Sequence, residues 1–249
     1  MGESAVAAAR AAGYQNAGTV EFIVDPETRQ FFFLEMNTRL QVEHPITELL
    51  TGIDLVQWQI RIAAGEPLSF SQEETLPRGH SIECRLYAED PSINFLPASG
   101  PLLRFIEPRG PGVRVDSGFL SGDEITVHYD PLIAKIIVHA EDRPGAIRKM
   151  VEALQGTVVL GLTSNSRFLL DVLAHPDFQT GKVHTTWIEQ TFDEWQHPQC
   201  PIPPEVLAAA ALTQFQDSGT SYGVNIDLQR QGPDPFSPWR ASSSYRTGE

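Results

Sequence analysis

Two periodicities alternate along the chain, and they mark out its elements. The segments Gly18-Thr19-Val20-Glu21-Phe22-Ile23-Val24-Asp25 and, at 30–36, the run through Phe31-Phe32-Phe33-Leu34 repeat every second residue, which predicts paired strands joined around Asp25-Pro26-Glu27-Thr28. Simple alternation puts Glu21 on the face opposite Val20, Phe22 and Val24, and puts Glu35 on the same face as Phe31 and Phe33. A register that sets Glu21 opposite or diagonal to Glu35 closes a turn of about five residues, an ordinary length. Ahead of these strands, the alanine-rich residues 3–12 predict a helix that stops at Gly13. After them, Leu50, Ile53, Val56, Ile60 and Ala63 recur at helical spacing and predict one helix over 47–64, ended by Gly65. Residues 81–89, 101–107, 112–116, 124–128 and 132–139 read as short strands broken by Gly and Pro, an antiparallel β-rich unit.

Two more helices are expected. One begins near Asp142 with Pro144 in its first turn and buries Ala146, Ile147, Met150 and Leu154. The other starts behind Thr163 as a cap and runs through Phe168, Leu169, Val172 and Leu173 to His175-Pro176. Near residue 191 the composition shifts. The remainder carries Pro198, Pro201, Pro203, Pro204, Pro233, Pro235 and Pro238, a single short helical stretch over 205–215, and the run Ser242-Ser243-Ser244, which together read as a linker. No internal repeat is visible. The fold class is α+β, in three regions: 1–70, 71–190 and 191–249.

Composition narrows the function. The 249 residues are 41% hydrophobic, enough for a real core, and carry a formal charge of −14. So acidic a surface argues against nucleic-acid or anionic-membrane partners. No apolar run approaches the roughly 18 residues that a membrane span needs. Met1-Gly2-Glu3-Ser4 lacks the basic start and apolar stretch of a secretory signal, and Val6 breaks the myristoylation pattern. Cys84 and Cys200 stand far apart without metal-ligand spacing and read as reduced thiols, which suits the cytoplasm or a mitochondrial matrix. Cys84, within an expected strand, is a packing residue.

The chemistry is concentrated in Glu35-Met36-Asn37-Thr38-Arg39-Leu40-Gln41-Val42-Glu43-His44. Two glutamates on adjacent strands, Glu21 and Glu35, with Asn37, form the partial oxygen cage that magnesium takes from protein when a nucleotide and water supply the rest. Arg39 offers a planar fork for a carboxylate-shaped anion, and Glu43 a base close to it. The alternative reading is solvated edge glutamates with an Arg39–Glu43 surface ion pair; for Glu21 alone the two readings balance. The whole run favours a site, because loose surface charge rarely ends so apolar a strand. Arg114 taken by itself reads as a structural ion pair with Asp116 or Asp123.

Phe33-Leu34-Glu35-Met36-Asn37-Thr38-Arg39-Leu40-Gln41-Val42-Glu43-His44-Pro45 resembles the signature of biotin carboxylases in the ATP-grasp superfamily. The likeness continues through Arg78-Gly79-His80-Ser81-Ile82-Glu83-Cys84-Arg85, Ala88-Glu89-Asp90-Pro91, Gly112-Val113-Arg114-Val115-Asp116-Ser117 and Tyr129-Asp130-Pro131-Leu132-Ile133-Ala134-Lys135, and fades near Gln190. It implies the C-terminal part of an ATP-grasp domain followed by the antiparallel β-rich biotin carboxylase C-terminal domain with flanking helices. By the same resemblance, Glu21, Glu35 and Asn37 are ligands of Mg2+ or Mn2+. Arg39, Gln41 and the Val42 backbone bind bicarbonate, and Glu43 is the base that deprotonates it. Arg114 stabilises the enolate of the biotin ureido group, and Ile23 packs on the adenine of ATP. The implied partners are a biotin carboxyl carrier domain, a carboxyltransferase subunit and a second copy of the chain, with biotin arriving as a substrate on another domain or chain.

The chain also departs from that family pattern. No G-x-G-x-x-G or Walker loop occurs, and no lysine precedes Lys135. A chain opening midway through the ATP-grasp domain is therefore expected to lack bicarbonate-dependent ATPase turnover by itself. Asp234-Pro235-Phe236-Ser237-Pro238-Trp239-Arg240 is similar to the start of the region that docks α-subunits of acyl-CoA carboxylases on the carboxyltransferase, and a biotin-accepting Met-Lys-Met is absent. Two other readings stand beside this one. The chain is either a non-catalytic assembly remnant of such a subunit or a different ATP-grasp ligase of the carbamoyl-phosphate type, and Arg39-Leu40-Gln41-Val42-Glu43-His44 speaks against the latter.

Overall fold

The computed structural model describes residues 1–25, 27–198 and 201–219. The chain divides into two compact units, Met1–His197 and Pro198–Glu249. In the first, α1 (Gly2–Ala11) leads to a two-stranded antiparallel ribbon of β1 (Thr19–Val24) and β2 (Phe31–Asn37), then to α2 (His44–Thr51) and α3 (Leu55–Ala63). The β-rich part follows with β3 (His80–Tyr87), β4 (Glu89–Asp90), β5 (Leu96–Pro97), β6 (Gly100–Pro101), β7 (Arg104–Ile106), β8 (Val113–Ser117), β9 (Glu124–Ile125) and β10 (Leu132–Ala140). Then come α4 (Arg143–Gly156), β11 (Val158–Leu160), α5 (Ser166–Ala174), α6 (Pro176–Thr180) and α7 (Trp187–Phe192). In the second unit the described residues form one helix, α8 (Pro204–Gly219).

The centre of the first unit is the antiparallel sheet β3-β10-β8. β3 alternates strictly, whereas β10 has a register shift between Leu132 and Ala134 and buries Ile136, Ile137 and Val138 in succession. Ile82, Cys84 and Leu86 on β3 share a face with Ala134, Ile136 and Val138 on β10, and Val113 and Val115 on β8 lie beside them. Across this face lies α4, burying Ala146, Ile147, Met150, Ala153 and Leu154. Full burial of a side chain such as Leu86, Ile136 or Met150, each 0% exposed, stabilises by about 1.5–3 kcal/mol. Asp142 caps α4 by accepting from the Gly145 N–H at 2.7 Å. Cys84 belongs to this core, and burial, with the neighbouring Glu83 carboxylate, pushes its thiol up to about 12.

The opposite face of the same sheet is charged: Glu83 and Arg85 on β3, Lys135 on β10, Arg114 and Asp116 on β8. α2 lies on this side, its Glu48 bonded to Arg114.

Three expectations are corrected. The stretch 47–64 is two helices, because Gly52 adopts a left-handed backbone (φ 75°) that ends α2, and Asp54 caps α3 by accepting from Gln57 N–H at 2.7 Å. The N-cap of α5 is Asn165, not Thr163. Asn165 is buried and ties the helix start to β3, its amide donating to the Arg85 carbonyl at 3.1 Å while its oxygen accepts from the Tyr87 N–H at 3.0 Å. Finally, the β1–β2 register shifts between Glu21 and Phe22, leaving Leu34 without a ladder partner. That extra residue turns Glu35 away from Phe31 and Phe33, which instead pack edge-on against Phe22 with ring centroids 5.5 and 6.3 Å apart. Cys200, Pro26 and residues 234–240 lie outside the described residues.

Both carboxylate oxygens of Glu83 are buried without a hydrogen-bond partner among the described residues. Burial pushes this carboxyl up to about 7 from its ordinary 4.5, with Glu43 and Asp116 adding to the rise and Lys135 and Arg85 opposing it. Between those values the folded chain holds more protons than the unfolded one, so the stability tied to Glu83 is intact below the lower value and lost as pH rises through the upper. Glu83→Gln is expected to stabilise the protein by about 1–2 kcal/mol at about pH 8, after allowance for solvent screening, and by little near pH 5. Urea unfolding at both pH values checks this, and an equal gain at both would contradict it.

Candidate active site

The ribbon β1–β2 brings the first group together. Glu21 and Glu35 are direct cross-strand partners, and Thr19 pairs with Asn37. The Asn37 amide donates to Glu21 Oε1 at 2.7 Å and to Glu35 Oε1 at 3.2 Å. Two carboxylates thus converge on one amide, on the face opposite Phe22. Close approach of the strand ends depends on Gly18, where a Cβ would lie 2.9 Å from the Asn37 carbonyl oxygen. Ile23 lies two residues beyond Glu21 on the same face, paired with Phe32, and is 56% exposed.

This donor set fits a hard divalent cation. Two anionic oxygens meet an amide that presents its own oxygen by rotating about its last torsion. Among the described residues, no group of three or more His, Cys, Asp or Glu side chains gathers as a complete cage would. The cage is therefore partial, as suits an ion whose remaining ligands come from phosphate oxygens and water.

The segment after β2 forms the second group. A cavity of about 550 Å³ is lined by Glu21, Arg39, Gln41, Glu43, His44 and Thr47, among others. The Arg39 guanidinium donates to the Leu40 carbonyl at 3.2 Å and, among the described residues, has no carboxylate partner. Gln41 is held by its amide donating to the Thr19 hydroxyl at 2.7 Å, which ties this segment to β1. The His44 ring meets the Gln41 carbonyl at 2.8 Å. Glu43 is paired with Arg85 of β3, and not with Arg39 as the surface-pair reading had it.

A third group lies on the charged face of the sheet. Arg114 donates through Nε to Asp116 Oδ1 at 2.7 Å and through Nη2 to Oδ2 at 3.0 Å, a two-pronged grip, while Nη1 reaches Glu48 Oε2 at 2.6 Å. These bonds, Asp116 first, hold the guanidinium firmly charged. Burial pushes the Asp116 carboxyl up, but Arg114 and Lys135 outweigh it and its net shift is downward. The other Glu48 oxygen accepts from the Leu55 N–H at 2.8 Å, at the start of α3. Asp123 has no part in this pairing; its carboxylate accepts from the Leu120 N–H at 2.7 Å. Lys135 bonds to the Val42 carbonyl at 3.0 Å and to Asp116 at 3.2 Å.

The first group is therefore drawn together as the strand pattern requires. Glu21, Arg39, Gln41 and Glu43 line one cavity, while Arg114 stands apart from its lining, linked to it through Lys135 and Val42. Sequence reasoning named Asp116 as a partner of Arg114 but passed over Glu48, Glu83, Arg85 and Lys135. For Glu83 and Arg85 the signal lies in β3, where Ser81, Glu83 and Arg85 alternate with Ile82, Cys84 and Leu86. A strand with one charged and one apolar face has something polar to hold.

Residues 83–190 match the biotin carboxylase C-terminal domain family, and residues 1–71 match the ATP-binding domain of the carbamoyl-phosphate synthase L chain. The α-subunit of mouse mitochondrial methylcrotonoyl-CoA carboxylase is 46% identical over 248 residues, covering 99% of this chain and 34% of its own length. The α-chain of human mitochondrial propionyl-CoA carboxylase is 48% identical over 196 residues, covering 78% of this chain and 27% of its own. The chain thus spans about a third of the length of the curated relatives it matches. Among solved structures, the biotin carboxylase domain dimer of Hydrogenobacter thermophilus 2-oxoglutarate carboxylase, in complex with MgADP, ADP and bicarbonate, superposes with a TM-score of 0.75 at 45% identity, over 78% of this chain and 43% of that one. Rhizobium etli pyruvate carboxylase gives 0.76 at 36% identity, over 80% of this chain and 21% of that one. The α+β architecture, the charged constellation and these matches agree: the chain belongs to the biotin carboxylase family of the ATP-grasp superfamily and corresponds to the C-terminal part of the biotin carboxylase region of acyl-CoA carboxylase α-subunits.

Proposed function

We propose that this chain provides the cation and bicarbonate side of an ATP-dependent biotin carboxylation. The observation that carries this reading is the convergence of Glu21 and Glu35 on Asn37 beside the cavity holding Arg39, Gln41 and Glu43. Glu21, Glu35 and Asn37 hold Mg2+ or Mn2+, which when bound neutralises charge on the phosphates of ATP. Arg39, with its fork unclaimed by any carboxylate among the described residues, and Gln41, with the Val42 backbone, orient bicarbonate. Glu43 takes the bicarbonate proton, and Arg85, paired with its carboxylate, fixes where that carboxylate sits. Bicarbonate oxygen attacks the γ-phosphorus of ATP, giving carboxyphosphate and ADP. Carboxyphosphate then breaks to CO2 and phosphate, the phosphate takes the proton from the ureido nitrogen of biotin, and that nitrogen captures CO2. Arg114, fixed by Asp116 and Glu48, stabilises the enolate oxygen formed on biotin. Ile23 supplies an apolar surface for adenine.

In this reading residues 1–70 are the C-terminal part of an ATP-grasp domain, 71–190 the carboxylase C-terminal domain, and 191–249 a proline-rich linker with the start of a carboxyltransferase-docking domain. Biotin arrives on a carrier domain, and a carboxyltransferase subunit and a second copy of the chain are the partners. The mouse and human relatives named above are mitochondrial proteins, and a mitochondrial or cytoplasmic setting suits this one. No described helix is long and apolar enough to cross a membrane.

Calorimetry of ADP binding with and without Mg2+ tests the cation site. Glu35→Gln is expected to weaken Mg-ADP about tenfold or more while leaving metal-free ADP unchanged, and equal affinities would remove the proposed ligation. For the base, Glu43→Gln in a polypeptide of the relatives' full length carrying this region is expected to slow bicarbonate-dependent ATP cleavage by about a hundredfold or more. A rate within twofold of the parent, measured as phosphate release with free biotin, would assign the base elsewhere.

A further inference from the structure

One cation on the charged face has no role in that chemistry. Lys135 is the first lysine of the chain, and its side chain is 11% exposed. Its ammonium donates to the Val42 carbonyl at 3.0 Å and pairs with Asp116 Oδ2 at 3.2 Å, and the same Asp116 oxygen accepts from Arg114 Nη2 at 3.0 Å. Its cross-strand partner Arg85 grips the carboxylate of Glu43, the very next residue after Val42. The backbone carbonyl that precedes the proposed base and the carboxylate that holds Arg114 are therefore joined through one nitrogen. Desolvating an ammonium is costly, and the two partners that satisfy Lys135, the Asp116 carboxylate and the Val42 carbonyl, belong to segments serving different parts of the site. The added bond to a backbone carbonyl 93 positions away makes Lys135 sensitive to where that peptide sits. Any shift of the Val42 peptide would bear on the Lys135–Asp116 pair, and through it on the carboxylate that grips Arg114.

We infer that Lys135 is a positioning residue that couples the anion-binding segment 39–43 to Arg114, so that occupancy on either side changes the affinity of the other. This rests on the function proposed above, and it deepens that reading by assigning communication between the bicarbonate and biotin sides. Such coupling is reciprocal, because the two affinities share one free energy. An arginine at this position spans the same two acceptors and preserves the link, whereas methionine fills the space without it.

The test is a titration of 13C-bicarbonate line broadening on the Mg-ADP-loaded chain, with and without saturating free biotin. In the wild type, biotin is expected to change bicarbonate affinity about fivefold or more. Lys135→Met is expected to abolish that biotin effect while Mg-ADP affinity and the far-UV circular dichroism stay at wild-type values, and Lys135→Arg to restore it. Asp116→Asn, which leaves the bond to Val42 in place, is expected to keep the affinity for bicarbonate alone and lose the biotin effect. A residue of purely structural importance would move stability and leave the biotin effect intact. The inference is overturned if Lys135→Met retains the wild-type response, or if the wild type shows none while binding Mg-ADP and bicarbonate. A wild type that binds no Mg-ADP overturns the functional reading itself, and the coupling with it.

Discussion

The antiparallel sheet of β3, β10 and β8 has two faces of opposite character, and that constraint shapes the first unit of the molecule. Side chains on a strand alternate without exception except at a bulge, so every apolar residue delivered to α4 obliges its neighbours to face the other way. Those neighbours are Glu83, Arg85, Lys135, Arg114 and Asp116. Placed so close and partly screened from water, they need partners of matching charge, and α2 with the segment before it supplies them through Glu48, Glu43 and the Val42 carbonyl. The packing of the core and the placement of the reactive groups are thus two sides of one ladder.

Much of this was legible in the residues. The Glu21–Glu35 pairing followed from two short strands and one turn, and the family resemblance of Glu35 to Pro45 agrees with the matches to known carboxylases. The four residues of α4 expected to be buried are buried, and Ala153 joins them. Individual departures trace to local backbone events that periodicity does not encode. A single unpaired residue, Leu34, puts Phe31 and Phe33 on the other face from Glu35, and nothing in an alternating string marks where such an insertion falls. Gly52 splits an apparently continuous helical stripe, since the spacing of Leu50, Ile53 and Val56 survives the break. Thr163 has the side chain of a cap, but Asn165 is the residue that strand β3 needs.

The partners of the site were harder to read, because each is joined across long stretches of chain. Arg85 meets Glu43 from 42 positions away, and Arg114 meets Glu48 from 66. Local pattern reasoning sees only that Arg114 has an acid two residues on. It found the Asp116 pairing and could not see Glu48. The short elements β5, β11, α6 and α7 escaped for a related reason: each is too brief to show a period, and α7 is fixed by Trp187 packing with Phe168 and Val172.

Glu48 has one further consequence. One of its oxygens holds the N-terminal turn of α3 and the other holds Arg114, so the hinge between α2 and α3 is tied to a guanidinium on the far sheet. Surface connections ordinarily tolerate insertions at small thermodynamic cost. Here lengthening the Gly52–Asp54 connection by even one residue would drag on that carboxylate, making this short corner a place where indels are heard far from where they occur.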